Sequence, residues 1–377
     1  MTEREHFQHV ARQDVKVAPT TIEPGPLVPT WERWRDEGLN PALDPHDYDE
    51  WCEAFGFDHW ATSVSVSRPK PPLYKKEILE ETDTTYTMRR EDGSIIQEMK
   101  GEHKSIYHEL RPAITSKEEW ERFKKWLDVE APLPQGNEPW VQNAFAKARQ
   151  LRTPVWLSAG SLMGKIRNWL GFEEFAMKPF DDREWIEDMF ETCCRAAEWQ
   201  VRAFGKNGVP LDVVHFWEDI CFKNGPIIHP DVFEEMVVPR YRRIADLAAG
   251  YGYDFVSVDS DGNLWALLSG WLKGGINVIN PLEVQAGMDV NQIQDEYGTD
   301  FLLMGGIHKH KLTGGEAAIV EELRRVKPAV ERGRYIPCLD HNVPHDVSLQ
   351  NYLCYCRLKP EILELETPAF DSNAVLA

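Results

Sequence analysis

The sequence lacks any apolar run close to the roughly 18 residues that a membrane-spanning helix needs. Residues 1–19 carry charges where a signal peptide has its apolar segment, so we expect a cytosolic protein. A basic excess is lacking too, since 62 acidic and 42 basic residues give a net charge of −20. Because that charge repels phosphate and anionic lipid, binding to nucleic acid or to a membrane surface is not expected.

Cysteine is sparse and shows no ligand spacing. None of the seven cysteines forms a C-x-x-C pair, and an odd number in a chain without a secretion signal predicts reduced thiols. No G-x-G-x-x-G or G-x-x-x-x-G-K loop follows the first predicted strand, which argues against the two common nucleotide-binding loops. Tryptophan, in contrast, is abundant at 14 residues, and it can fill a large core or line an apolar pocket.

The N-terminal part has a character of its own. Residues 1 to about 75 are rich in proline, tryptophan and acidic residues, and they predict short helices that wrap around the rest of the chain. Residues 84–112 alternate with a period of two around the turn signal Asp92-Gly93, which predicts a small antiparallel sheet. Ser116 and Glu119 match a capping box and predict the start of a helix.

From about residue 153 onward, short apolar runs alternate with long amphipathic helices. Such repeats require a parallel sheet covered by helices. We predict a (β/α)8 barrel of the TIM type over residues 153–377, with its last element near Glu366, preceded by an α+β extension over residues 1–152. Two further strand–helix units must then lie in the less regular stretches. The predicted strands are 154–160, 211–217, 254–260, 276–282, 301–307 and 334–340.

Polar residues collect directly after these predicted strands, on the face where barrel enzymes hold their active sites. Because the ends of barrel strands converge, we expect the side chains to line one cavity. The candidates are Glu218 and Asp219 after the second strand, Asp259 and Asp261 after the third, Glu283 after the fourth, His308 after the fifth, and Cys338 and His341 after the sixth.

Each candidate also has a purely structural interpretation. Asp261 can cap the next helix, and Glu218 can pair with a surface base. His308 can belong to an exposed H-x-H segment, and Cys338 can be a small buried apolar residue. The functional prediction therefore depends on the convergence of these residues and not on any one of them.

Two kinds of chemistry fit such a set. Carboxylate oxygen, imidazole nitrogen and cysteine sulfur are the donors of a catalytic zinc with three protein ligands and one open position. Without a metal, the carboxylates can hold a cationic or N–H-rich substrate, or share a proton for general acid catalysis. The residues alone leave both alternatives open.

Six motifs occur in a recognisable order: PVWLSAGSLMGKIRNWLGFEEF, VVHFWEDICFKNGPIIHPDVFEEMVVPRYRRI, VDSDGN, PLEVQAGMDV, LLMGGIHKHKL and YIPCLDHNVPHDVSLQNY. From about Tyr107 to the C-terminus, this order resembles the uroporphyrinogen decarboxylase superfamily. That superfamily contains the decarboxylases of haem synthesis and the cobamide-dependent methyltransferases, which share one barrel. The resemblance thus implies either a decarboxylase or a methyltransferase.

Departures from these relatives narrow what the resemblance implies. The decarboxylases carry an N-terminal arginine motif for a polycarboxylate substrate, and residues 1–60 contain no equivalent. The thiol-methylating members carry His-x-Cys where this chain has Asp259-Ser260-Asp261, and a further cysteine in the segment of Cys338. The shift toward oxygen donors argues against thiolate activation. What remains resembles the corrinoid-linked methyltransferases that use a small methylated substrate, such as an aryl methyl ether.

The resemblance also implies the roles of individual residues. A zinc ion would be held by Asp261, Cys338 and one of Glu218 or His341, and it would neutralise the oxygen that leaves the methyl group. The residues with expected catalytic roles are Glu218, Asp259, Glu283, His308 and His341.

The expected partners follow from the same resemblance. This chain lacks the D-x-H-x-x-G signature of corrinoid proteins, so a separate corrinoid protein would supply the cobalamin and accept the methyl group from the small-molecule donor. A homodimer is also compatible with the sequence. Two other classes stay open: a metal-independent decarboxylase or lyase acting on a small carboxylated substrate, and a barrel that binds a ligand without turning it over.

Overall fold

The computed structural model describes residues 1–13, 19–44, 46–100, 107–365 and 375–376. It forms an α/β protein with a seven-stranded parallel sheet, a four-stranded antiparallel sheet and a pair of short antiparallel strands. In chain order the strands are β1 (Thr62–Val64), β2 (Glu77–Glu81), β3 (Thr85–Arg89), β4 (Ile95–Met99), β5 (His108–Arg111), β6 (Val155–Gly160), β7 (Val213–Trp217), β8 (Cys221–Phe222), β9 (Gly225–Pro226), β10 (Phe255–Asp259), β11 (Val278–Leu282), β12 (Leu302–Ile307) and β13 (Tyr335–Leu339).

Helices cover the parallel sheet, and α8 shows why they form. Its apolar residues recur every three or four positions, as in Trp185, Ile186, Met189 and Phe190, so that one face is buried. Within the ranges described, no helix combines the length and the apolar character needed to cross a bilayer. The helices are α1 (Glu3–Ala11), α2 (Val28–Asp36), α3 (Tyr48–Phe55), α4 (Lys117–Leu127), α5 (Pro139–Arg149), α6 (Gly164–Leu170), α7 (Phe172–Asp181), α8 (Arg183–Lys206), α9 (Pro230–Val232), α10 (Val238–Ala249), α11 (Trp265–Lys273), α12 (Val290–Tyr297), α13 (Gly315–Arg332) and α14 (Leu349–Leu363).

The parallel sheet is curled and has seven strands in the order β1-β6-β7-β10-β11-β12-β13. All neighbouring strands in it run parallel. The six strands predicted from apolar runs all form, and β12 shows the reason, since each of its residues is buried. This architecture is consistent with a TIM-like barrel. The predicted limit near Glu366 lies outside the described residues.

The seventh strand, β1, comes from the part of the chain that precedes residue 153. Its three residues pair with β6 in register, and Thr62 N donates to the Pro154 carbonyl oxygen at 2.7 Å. A strand of three residues is too short for a periodic pattern, so it was not predicted.

A segment that we call the N-terminal strap, residues 20–27, lies beside the two outer strands, β13 and β1. Leu27 N donates to the Val343 carbonyl oxygen at 3.1 Å, beyond the end of β13. At the other side, Asp58 N donates to the Thr21 carbonyl oxygen at 3.2 Å, shortly before β1. The strap therefore connects the two edges of the curled sheet.

A buried ion pair holds the strap. Glu23 is 0% exposed, and Lys359 on α14 is 1% exposed. One Glu23 oxygen accepts hydrogen bonds from Lys359 Nζ and Tyr355 Oη at 2.5 Å each, and the other accepts from Leu339 N at 3.0 Å. All of the charge that the strap brings into the interior is thus compensated.

The antiparallel sheet has the order β2-β3-β4-β5 and contains the predicted hairpin. In its turn, Asp92 Oδ1 accepts from Ser94 N at 2.9 Å, and Gly93 adopts φ +97°, which favours glycine. The predicted alternation continues into residues 101–106, which lie outside the described residues. Ser116 caps α4 as predicted, because its Oγ accepts from Glu119 N at 3.2 Å.

Candidate functional site

A cavity of about 270 Å³ opens at the carboxyl ends of the parallel strands, and we call it the acidic cavity. The strap and the loops after β7, β10, β11 and β13 contribute to its wall, as the position of barrel active sites leads one to expect. Its lining residues are Pro24, Trp60, Trp217, Asp219, Asp259, Asp261, Asn280, Pro281, Gly305, Cys338, Leu339, His341 and Asn342.

Three carboxylates meet in this cavity and form what we call the aspartate triad: Asp219, Asp259 and Asp261. One oxygen from each lies within 4.8 Å of the others. Asp259 ends β10, and Asp219 follows the neighbouring strand β7 by two residues. Asp219 adopts φ +45°, an uncommon conformation for a residue with a Cβ, and the Arg167 guanidinium binds its carbonyl oxygen.

The environment keeps a proton on the triad close to neutral pH. Burial, together with the charges of Asp219 and Asp261, raises the pKa of Asp259 to about 7. Burial, followed by Asp219 and Glu283, raises the pKa of Asp261 to about 6, whereas His341 opposes this shift. A carboxyl group that titrates near the working pH is suited to general acid catalysis.

Glu218 lies outside the cavity lining, although it directly precedes Asp219. It is 0% exposed, and its carboxylate accepts hydrogen bonds at 2.8–2.9 Å from Ser161 Oγ and from the backbone N–H groups of residues 162–164. Tyr241 donates a further hydrogen bond. Five donors satisfy this carboxylate, so it anchors the start of α6 to the end of β7.

The contact between these two segments is close. A Cβ at position 164 would overlap the Glu218 carbonyl oxygen, so glycine is required there. The sequence analysis named both Glu218 and Asp219 as candidates but gave a catalytic or metal-binding role only to Glu218. The sequence signal for this part of the site was the pair of consecutive acidic residues. Asp219 lines the cavity, whereas Glu218 is buried behind its wall.

Glu283 was expected to line the acidic cavity but does not, although its charge acts on Asp261 of the triad. Its carboxylate accepts from Gly262 N at 2.9 Å, and Lys309 Nζ lies 3.8 Å from its other oxygen. His341 Nε2 lies 3.7 Å from Asp261 Oδ2. The structure therefore brings Glu283, Asp261 and His341 together, with one lysine as a counter-charge.

His308 is placed behind this group and does not line the cavity. Its Nδ1 lies 4.0 Å from Asp340 Oδ2, and burial lowers its pKa. Asp340, which the sequence analysis did not single out, is 1% exposed and accepts from the backbone N–H groups of Lys309 and Val284 at 3.1 Å each. These contacts fix the loop that carries Lys309.

Cys338 lines the cavity but is 1% exposed, and burial raises the pKa of its thiol far above the ordinary range. It is thus a neutral thiol at neutral pH. Among the described residues, one group of three or more His, Cys, Asp or Glu side chains could hold a metal ion, and that group is the aspartate triad. Glu218, Cys338 and His341 are not members of that group. Three carboxylates are hard donors, which suit Mg²⁺, Mn²⁺ or Ca²⁺.

Tryptophan serves both of its expected purposes. Trp34, Trp120 and Trp271 are among the largest fully buried side chains of the core. Trp60 and Trp217 instead line the acidic cavity. Their rings add apolar surface to the wall that also carries the carboxylates.

Comparisons with known proteins concern the fold. No protein-family model matches the chain, and no curated protein matches its sequence. A solved methyltransferase from Methanosarcina mazei aligns with a TM-score of 0.57 over 96% of this chain and 99% of that chain, at 13% identity. A B12-independent methionine synthase from Shewanella aligns over 62% of this chain and 69% of that chain, with a TM-score of 0.38 and 15% identity. The chain thus shares the fold of the Methanosarcina methyltransferase.

Proposed function

We propose that this protein transfers a methyl group from a small aryl methyl ether to the cobalt of a separate corrinoid protein. The observation that carries the proposal is the aspartate triad, which holds a proton near neutral pH in a small cavity walled by two tryptophans. The proposal includes a closed (β/α)8 barrel, in which the strap occupies the place between β13 and β1. The fold shared with a methyltransferase supports it.

The chemistry requires an acid beside the ether oxygen. When the methyl carbon is attacked, the electron pair of the carbon–oxygen bond stays on oxygen. Asp259 donates its proton to that oxygen, so that a phenol leaves and Asp259 becomes a carboxylate. Asp219 and Asp261 favour the protonated form of Asp259 beforehand, because their charges raise its pKa. The corrinoid, when bound, supplies the nucleophile.

The cavity favours a single uncharged ring. Its volume of about 270 Å³ is near the lower limit of roughly 300 Å³ for ligand pockets. Trp60 and Trp217 offer faces on which an aromatic ring packs. A carboxylated substrate would instead face the charges of the triad, which makes the decarboxylase alternative the weaker one.

The triad also fits a divalent metal, which would supply Lewis-acid chemistry in place of the proton. Our sequence-based prediction of zinc bound by Asp261 and Cys338 is one form of this proposal, and a hard cation on the triad is the other. Elemental analysis of protein purified without chelator separates them. If Cys338→Ser keeps the metal and Asp219→Asn loses it, the triad is the site. The reverse result establishes zinc at Cys338.

Methyl transfer is tested by mixing the protein with a reduced corrinoid protein and a panel of methoxyarenes. We expect the absorption spectrum of methylated corrinoid together with the demethylated phenol. Asp259→Asn should lower the rate by about 10²–10⁴-fold, as is typical when a general acid is removed. Asp231→Asn is the matched control, because that side chain is 94% exposed and does not line the acidic cavity.

Two outcomes would contradict the proposal. Release of carbon dioxide from a small carboxylated substrate without corrinoid would establish the decarboxylase. Binding of methoxyarenes without turnover, unchanged by Asp259→Asn, would establish a binding barrel.

A further inference from the structure

A second cavity, of about 580 Å³, lies apart from the acidic cavity and is about twice its size. We call it the tryptophan cavity. It is bounded by the segment after β1, the end of α4, α6 and α8. The two cavities have no lining residue in common. Those of the tryptophan cavity are Val66, Ser67, Arg68, Pro69, Lys70, Asp92, Phe123, Trp126, Leu127, Asp128, Val129, Ala131, Lys165, Trp169, Ala196, Trp199 and Gln200.

Aromatic carbon makes up much of the wall. Trp126 Nε1 donates to the Pro71 carbonyl oxygen and Trp199 Nε1 to the Ala131 carbonyl oxygen, at 2.8 Å each. These two rings need no polar partner from a ligand. On the same wall, the rings of Phe123 and Trp169 lie 4.8 Å apart between centroids. Such a surface favours a planar aromatic ligand.

Most charged groups of the wall are already occupied. Arg68 pairs with Asp128 at 3.2 Å, and Asp92 accepts from the backbone and hydroxyl of Ser94. Lys70 donates to two backbone carbonyl groups at the end of α4, and it lies 4.1 Å above a tryptophan ring. These groups are held by the protein itself and do not call for a ligand.

Two donors are left. Lys165 Nζ and Trp169 Nε1 make no hydrogen bond to any of the residues that the structure describes. Both belong to α6, four positions apart, and therefore lie on one face of that helix. Lys165 is exposed and Trp169 is half-buried, so both donors are accessible and can bind a ligand that carries an anionic acceptor.

We propose that the tryptophan cavity binds a small aromatic carboxylate. The ring packs against Phe123, Trp169 and Trp199, and the carboxylate accepts hydrogen bonds from Lys165 and the Trp169 indole. The size of the cavity allows two fused rings. This site is independent of the methyl-transfer proposal, because it uses no residue of the acidic cavity.

Isothermal titration calorimetry with 1-naphthoate and with the neutral 1-naphthalenemethanol tests the site. We expect saturable binding of naphthoate at one site per chain. Lys165→Met should weaken it about tenfold, since a charge-assisted hydrogen bond is removed, and should leave the alcohol unchanged. Lys165→Arg should restore most of the affinity. Lys206→Met, an exposed lysine at the end of α8, is the matched control.

A second series locates the ligand. Trp169→Phe keeps a ring but removes the indole N–H, and it should weaken naphthoate binding a few-fold. Trp60→Leu, in the acidic cavity, should have no effect. The proposal is overturned if naphthoate does not saturate, if Lys165→Met weakens the acid and the alcohol equally, or if Trp60→Leu abolishes binding. Thermal unfolding curves establish that each variant is folded.

Discussion

Two groups of carboxylates lie at the same end of the parallel sheet, one fully buried and one half-buried, and they differ in their surroundings. Glu23 and Glu218 are 0% exposed and are enclosed by hydrogen-bond donors. The carboxylate of Asp259 accepts no hydrogen bond from the described residues, and the charges that act on it are those of Asp219 and Asp261. Burial alone therefore does not make a carboxyl group reactive. The number of donors around it separates a structural anchor from an acid.

The largest effect on stability is expected at Glu23, because the buried charge of its carboxylate is neutralised by Lys359. Lys359→Met leaves the Glu23 carboxylate buried without its cation, and it should lower the free energy of unfolding by about 3–5 kcal/mol. The double variant Glu23→Leu/Lys359→Met should recover much of this loss, because no charge then stays buried. Urea unfolding measures both. Equal stability of the single variant and the wild type would remove Glu23 from the group of anchors.

The next largest effect on stability is expected at Glu218, and the consecutive residue Asp219 provides the comparison. Glu218→Gln places an amide N–H₂ among N–H donors, and it should lower the free energy of unfolding by roughly 2–3 kcal/mol. Asp219→Asn relieves repulsion within the triad, so it should leave stability unchanged or raise it. Urea midpoints of the two variants, measured side by side, give the answer. A larger loss for Asp219→Asn would contradict the comparison.

The smallest effect is a pH dependence. The unfolded chain releases the Asp259 proton near its ordinary value of 3.8, whereas the folded protein holds it until about 7. The folded state thus binds the proton more tightly than the unfolded chain, and stability should fall as the pH rises from about 4 to about 7. Asp259→Asn should make this part of the curve shallower but not flat, because the pKa of Asp261 is also raised, to about 6. An unchanged slope in this variant would assign the titration to other groups.

The sequence predicted those parts of the fold that local patterns encode. Six strands of the parallel sheet follow from apolar runs bounded by turns, and the hairpin follows from Asp92-Gly93. The strap carries no such pattern, because its role depends on a lysine 336 positions away from Glu23. Only tertiary structure brings those two residues together.

The site was predicted at the level of strand ends but not of individual atoms. Six side chains were expected in one cavity: Asp261, Cys338 and His341 line it, whereas Glu218, Glu283 and His308 do not. Which of two consecutive acidic residues faces that cavity depends on the backbone, here on the positive φ of Asp219. Periodicity does not extend beyond the end of a strand, so no sequence rule distinguishes the two.

The strap has a consequence for how the protein is made. Glu23 leaves the ribosome long before the lysine that neutralises it, which is synthesised 336 positions later. Contacts of such sequence separation slow folding, because a long loop must close before they form. Pro24 and Leu339, which line the acidic cavity, flank this contact on either side. The wall of the cavity is therefore completed only after Leu339 and Lys359 have been synthesised, and a shorter nascent chain carries no finished pocket.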